Sequence, residues 1–479
     1  MDEPLLEVGA QTAVVPSEPK LDPRRVRSFI GLSLGRLGPR AFGAVAGVFL
    51  ALLVAERTDS LLMVTFALTA HRIVTWIAFP LAGRMSDRSH MSMGRRVPYM
   101  GGGLIVAGVC TALFPHAQNF WALVALLMIT RLAMVAYTLP SAAITPEAFG
   151  RSRWVRAGVA VAILGGIVGL SIRLTAIATW KQDDPSTWAT SYYLSAGYII
   201  FAGLAIVLLV REVPAAKELL KDHPTERFRD TMRSVLEAPN ARPLLWILLL
   251  STAAGGAFSR AYPIYVDKVL GAGGDELSAA GIAGALLGAV LFPLSLVLAA
   301  RLSRKHNVFW AAVTGGLTAL AHLWVNALWQ SVVLFALSGV FLGAASIALA
   351  PLYLQILPRR GGLGERIGVG FAPILLSGLI AAFLAGFAYD VVVHDYRVIW
   401  IPTAVFSFGP LIALLWVRIP AHAKHADLRH GWAILKRNLW GKKEGRELFR
   451  GDIDHHEADG AALIELIADE LNPYIDRGL

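Results

Sequence analysis

The chain has 479 residues, of which 56% are hydrophobic and 16% charged, with a mean hydropathy of +0.57. That balance excludes a soluble globular domain and points to an integral membrane protein. A net charge of +10 would suit a nucleic-acid partner. The basic residues, however, fall in loops between apolar runs, where the positive-inside rule accounts for them and no nucleic acid is expected.

The first 27 residues carry Glu3, Glu7, Glu18 and several prolines before any apolar run. This is not a cleavable signal peptide, so the first span is expected to act as the targeting signal. A span needs about 20 apolar residues. Twelve segments meet that length or approach it: 28–54, 60–82, 98–114, 120–146, 154–180, 191–210, 243–266, 277–300, 308–327, 331–357, 367–390 and 397–417. The single cysteine, Cys110, lies in the third and excludes an internal disulfide.

Positive charge alternates along these spans. Lys20, Arg24, Arg25 and Arg27 precede the first, and the loop Gly83–Tyr99 carries Arg84, Arg88, Arg95 and Arg96 against Asp87. Arg151 and Arg153 follow span 4, Arg301, Arg304 and Lys305 follow span 8, and Arg359, Arg360 and Arg366 follow span 10. The opposite loops at 115–119 and 328–330 hold no lysine or arginine, and Lys181 is balanced by Asp183 and Asp184. Both termini are therefore expected in the cytoplasm.

The longest internal loop, 211–242, carries Pro214, Pro224 and Pro239 and divides the spans six and six. The expected organisation is a cytoplasmic segment 1–27, a six-helix bundle 28–210, a central loop 211–242, a second bundle 243–417 and a cytoplasmic tail 418–479. A faint repeat supports two pseudo-symmetric halves. Residues 300–305 (ARLSRK) echo 83–88 (GRMSDR), with Arg304 where the first copy has Asp87, and Pro351 and Pro358 echo Pro140 and Pro146. In the tail, His422, His425 and His430 have no cysteine beside them and match no fixed metal-ligand motif. No metal or cofactor is expected, and the basic part of the tail suits anionic lipid headgroups.

An ionisable group in hydrocarbon is expensive, so it faces a cavity or a partner. Away from the span ends, span 1 holds Arg36 and Arg40, span 2 His71 and Arg72, span 4 Arg131, span 5 Arg173, span 7 Arg260 and span 9 His322; spans 3, 6 and 12 hold none there, Arg156 and Arg397 lying at the ends of spans 5 and 12. Arg40, His71, Arg72 and Arg131 fall near the midplane. Arg36 and Arg40 share a helix face, with Pro39 expected to bend the helix between them. Gly31, Gly35, Gly43 and Gly47 give span 1 small-residue spacing for close packing. No acid lies in the core of the first six spans; Asp267 and Asp390 sit near outer ends and Glu147 near an inner one. Unmatched arginines leave a positive cavity suited to carboxylate or phosphate. Arg173 and Arg260, in outer halves, are equally read as snorkelling groups.

The run Gly83, Ser86, Asp87, Arg88, Gly94, Arg95, Arg96 and Pro98 resembles the signature between helices 2 and 3 of the major facilitator superfamily. The closest form is that of its glycoside–pentoside–hexuronide cation symporters and sucrose transporters. Before it, residues 72–83 (RIVTWIAFPLAG) keep that branch's frame at Arg72, Ile73, Pro80 and Gly83. The resemblance implies an all-α membrane fold of twelve helices in two bundles, with helices 1, 4, 7 and 10 lining the cavity. It also implies a cytoplasmic gate at Gly83, Asp87, Arg88, Gly94 and Arg95. The aspartates that bind the coupling cation in that branch fall on Thr75 and Phe79, and its span-4 acid on Thr138. Sodium coupling is therefore not expected, because the carboxylates a hard cation needs are missing.

The expected function is secondary transport by alternating access in a bacterial cytoplasmic membrane, by a monomer and not an enzyme. The solute would touch Arg40, Arg72 and Arg131, with Arg36, His71, Trp76, Tyr137, Arg260 and Tyr262 as further contacts. The resemblance implies a sugar or glycoside, and the residues an acidic group. A sugar acid, sugar phosphate, other organic anion or anionic lipid satisfies both. Proton coupling through His71 or Glu147, uniport and anion exchange are all compatible. A lipid flippase or drug exporter of the same fold and a non-transporting scaffold are the alternatives; no paired aspartates, zinc motif or nucleophile elbow marks an enzyme.

Overall fold

The computed structural model describes the backbone over 23–211 and 241–417, except 48, 90, 92, 149–150, 180, 182–183 and 356–362, together with 233 and 237. The expectations for the amino-terminal segment before residue 23, for most of the central loop, for Pro358 to Arg360 and for the histidine-bearing tail lie outside the described residues. So do those resting on the side chains of Arg24, Arg25, Asp87, Arg88, Pro146, Glu147, Arg151, Arg153, Pro351 and Arg366. Among the described residues every regular element is helical, which is how a chain in hydrocarbon satisfies its own backbone groups. Nine described helices are long and apolar enough to cross a membrane, and a bent pair at the start makes a tenth.

That first apolar run is broken into α1 (Pro23–Gly35), α2 (Leu37–Ala46) and α3 (Phe49–Ala55). The break falls at Arg36 and not between Arg36 and Arg40 as expected. Pro39 has no N–H for the carbonyl four residues earlier, so the helix parts on its amino-terminal side. A second bend, of 42°, separates α2 from α3. The next run is also jointed, at Ala70, into α4 (Leu61–Thr69) and α5 (His71–Arg88). Ser60 caps α4 by accepting from the Met63 N–H at 3.1 Å.

The basic loop is folded into a turn. Gly94 has φ 105°, a conformation that favours glycine, and its N–H reaches the Met91 carbonyl at 3.0 Å. Arg96 is only 1% exposed, whereas its neighbour Arg95 is half-buried. Next come α6 (Val97–Leu113), α7 (Phe120–Ala148), α8 (Arg151–Thr179) and α9 (Ala189–Leu209).

After residue 241 follow α10 (Ala241–Leu270), α11 (Gly274–Arg301), α12 (Arg304–Ala321), α13 (Leu328–Gln355), α14 (Leu363–Phe387) and α15 (Trp400–Leu414). Helix α12 starts four residues before the expected 308–327 span. Ser303 caps it by accepting from the His306 N–H, which draws Arg304, Lys305 and His306 into its first turn.

Helix α6 lies between α7 and α9, α2 packs on α8 and α9, and α5 packs on α7. Among the later helices α10 packs on α14 and α15, α11 on α13, and α12 on α13 and α15. Two seams join the earlier set to the later one. In one, α4 and α5 run along α14; in the other, α8 runs along α11. Helices α3 and α4 also touch α10.

Candidate functional site

The first seam concentrates positive charge. Arg72 on α5, Arg131 on α7 and Arg260 on α10 lie within electrostatic range of one another, and all three act on the buried His71. Of the four midplane groups expected to meet, Arg40 is not among the charges acting on this cluster. Arg260 takes its place, so one of the two arginines open to a snorkelling role is instead drawn inward.

Packing holds each member differently. Arg72 donates from Nη1 to the Leu375 carbonyl at 3.1 Å. Its guanidinium lies against Gly378, where even a methyl group would overlap Nη1. Gly378 is also pressed by Gly256 of α10: a Cβ on Gly256 would lie 2.6 Å from the Gly378 Cα. Arg131 sits with Cζ 4.6 Å from the Phe42 ring centroid, a cation–π contact with α2. The Arg131 Nε, the Arg260 Nε and the His71 Nδ1 are buried with no hydrogen-bond partner among the described residues. No carboxylate is among the charges acting on the cluster in the described residues.

The other expected contacts are dispersed. Arg40 is exposed on α2, and Arg36 sits at the α1–α2 break close to the buried Tyr137 of α7. Trp76 is 40% exposed. Tyr262 pairs its hydroxyl with the Ser331 Oγ at 2.9 Å, and Ser331 also meets the His322 Nε2 at 2.9 Å. His322 stacks on Trp400 with centroids 3.9 Å apart. The Thr75 and Thr138 hydroxyls donate to carbonyls of their own helices, of Arg72 at 3.3 Å and Met134 at 2.8 Å. Of the gate residues, Gly83 and Gly94 are buried and Arg95 is half-buried.

The second seam contains a cavity of about 450 Å3. Gly47 and Arg173 reach it from the earlier helices, and Tyr262, α11 and α13 wall it from the later ones. Of the nine substrate contacts expected from the sequence, only Tyr262 lines it. Arg173, read as a snorkelling group, also lines it. Its guanidinium lies against Gly281 of α11, and its Nη1 is buried with no hydrogen-bond partner among the described residues. The signal that would have found this wall is the glycine spacing Gly281, Gly284 and Gly288 on one face of α11.

At the end of the bundle opposite the basic loop the two sets are tied together. The Asp390 carboxylate, from the π-helical turn Ala388–Val392 after α14, accepts from the Ser60 hydroxyl and from the backbone N–H groups of Leu61 and Leu62 at 3.1 and 3.0 Å. A carboxylate on a helix N-terminus satisfies orphan donors and the positive end of the helix dipole. Sequence reasoning noted the position of Asp390 but not this bond, which joins residues far apart in the chain.

A search of the curated proteins finds no match. Two solved structures of a bacterial homologue of the human lysosomal transporter Spinster, both inward-facing, share the fold. The unoccupied form is 11% identical with a TM-score of 0.57, covering 82% of this chain and 96% of that one. The occupied form is 14% identical with a TM-score of 0.59, covering 85% and 99%. The sequence model of the MFS/sugar transport protein family matches residues 31–357. That match spans most of the chain, and the chain belongs to this family: it is a multi-pass membrane protein and a secondary transporter of the major facilitator superfamily.

Proposed function

We propose that this transporter moves an organic solute bearing an acidic group, by alternating access and without sodium. The observation that carries the reading is the meeting of Arg72, Arg131 and Arg260 from both helix sets with no carboxylate among the charges described around them. Burying like charges without an acid is expensive. A solute carboxylate or phosphate that reaches them gains about 1.5–3 kcal/mol per charge-assisted hydrogen bond. Arg40, exposed on α2, and His71 complete the anion's surroundings in this reading.

The fine architecture follows the sequence: twelve spans as two six-helix bundles, with both termini in the cytoplasm. In that orientation the Asp390 contact closes the outer face, so this conformation faces inward. Asp87 and Arg88, with Gly83, Gly94 and Arg95, form the cytoplasmic gate. Sodium has no place because Thr75 and Thr138 stand where carboxylates are needed and turn their hydroxyls onto their own helices.

A thermal-shift screen of the purified protein against neutral sugars, sugar acids, sugar phosphates and simple organic acids tests the reading, since a ligand of the folded state raises its melting point. Acids should stabilise and neutral sugars should not. Normal stabilisation by a neutral sugar in both Arg40→Ala and Arg131→Ala would sink the anion assignment.

A further inference from the structure

The cavity beside Arg173 is walled in a way that helix packing does not explain. On α11, Leu277, Gly281, Gly284, Gly288, Leu291 and Ser295 fall on one face, and Ala336, Gly339 and Gly343 do so on α13. Small residues in membrane helices normally let backbones approach. Gly343 does this, because a Cβ there would lie 3.0 Å from the Ser295 Oγ. Gly288 and Gly339 do not: a Cβ on either would meet nothing within 4 Å, and on Gly284 only the Val332 Cγ1 at 3.9 Å. At these positions the missing side chains keep space open instead of bringing helices together.

The cavity has a charged end and an apolar one. Arg173, beside Gly281, and Tyr262 mark the first, and Leu291, Phe292 and Val340 the second. From Gly281 to Phe292 the wall runs about 16 Å along the helix. A volume of 450 Å3 is within the range of about 300–1,000 Å3 that holds a drug-sized ligand. Arg173 is the only Lys, Arg, Asp or Glu among the lining residues described.

We propose that this cavity is a binding site for an amphiphilic organic anion, with the acidic group on Arg173 and the apolar body against the open glycines of α11 and α13. The proposal rests on the acidic-solute reading above for the sign of the ligand's charge, and adds to the arginine cluster a separate site that takes amphiphiles. Tyr262 marks the charged end, and the Phe335 ring flanks the body.

The test uses the full chain in nanodiscs of zwitterionic lipid, with methanesulfonate, 1-butanesulfonate, 1-octanesulfonate and gluconate as probes and melting temperature as the readout. Apparent affinity should rise by about tenfold or more from the methyl to the octyl sulfonate, as burial of added methylenes requires. Arg173→Gln should weaken every sulfonate. Gly288→Leu and Gly339→Leu should remove the gain from chain length while leaving methanesulfonate and the unliganded melting temperature unchanged. Two separate filling variants guard against one failing to fold. Repeating the titration in discs containing phosphatidylglycerol separates sources. A persistent octanesulfonate shift assigns a soluble amphiphile, whereas a shift replaced by lipid stabilisation that Gly339→Leu abolishes assigns a lipid. Equal affinity along the series, or full chain-length dependence in both leucine variants, overturns the site and leaves the anion reading standing. If none of the four anions stabilises the wild type, the anion reading falls and this proposal with it.

Discussion

The two seams between the helix sets use the same device to different ends. In each, an arginine from an early helix is laid on a glycine of a late one: Arg72 on Gly378, and Arg173 on Gly281. At the α5–α14 seam Arg72 is bonded to a carbonyl of α14, the Gly378 it lies on is pressed from behind by the Gly256 backbone of α10, and further arginines crowd beside it. At the α8–α11 seam one guanidinium nitrogen of Arg173 has no hydrogen-bond partner among the described residues, and a Cβ added at Gly288 or Gly339 beyond it would meet nothing within 4 Å. Glycine therefore permits contact in one seam and preserves space in the other. The same residue type reads oppositely because its neighbours differ, which is why composition alone cannot locate a site.

The sharpest way to break this comparison is to add bulk at Gly256, directly behind the first seam, and at Gly339, inside the second. Gly256→Leu should be the most damaging change, because the obstruction is the Gly378 backbone, which cannot rotate away. Overpacking of this kind costs about 1–3 kcal/mol or more, and the expected result is a melting temperature lowered by several degrees, read by differential scanning fluorimetry. Gly339→Leu in the other seam should leave it unchanged; equal damage would mean that both seams are packed alike.

Next in size are the cationic cluster and Arg40, which stands apart from it on α2. Arg131→Ala and Arg40→Ala should each weaken binding of an acidic solute by about tenfold or more, with Arg131→Lys recovering part of it because the planar fork is lost. Isothermal titration with the best acid from the screen measures this. An Arg131 variant with wild-type affinity would leave the α5–α14 seam purely structural.

Two smaller effects test the closure at each end of the molecule. Asp390→Asn removes the charge from the α4 N-terminus, worth about 0.3–1 kcal/mol at an exposed helix end. It should raise outside labelling of a cysteine placed at Gly288, in a Cys110→Ala background, by a few-fold. Asp87→Asn should shift accessibility the other way and slow turnover. The smallest expected effect is that of sodium: transport with and without a sodium gradient should agree.

The helical plan was legible because apolar runs of span length and alternating loop charges are properties of single segments. The joints at Arg36 and Ala70 were harder to read. Pro39 signalled the first, displaced by a few residues as its chemistry dictates, while Ala70 carries no signal at all. Ser303 announced the start of α12, but the basic residues after it made that turn look like loop. The site was half legible. Arg72 and Arg131 stood out as charges in hydrocarbon, but Arg260 was open to both a solute-contact and a snorkelling role, and nothing local tells that Arg173 faces a cavity. Those facts depend on how separate helices are rotated against each other, and only packing sets that rotation.

The buried Arg96 bears on how the protein is made. While the chain is being inserted, orientation is set by lysines and arginines still in water near the ends of the spans, and in the proposed topology Arg96 acts there beside Arg84, Arg88 and Arg95. In the folded protein it is 1% exposed at the start of α6, no longer a charge that lipid headgroups can reach. One side chain thus serves twice, first as a marker of orientation during biogenesis and then as part of the finished interior.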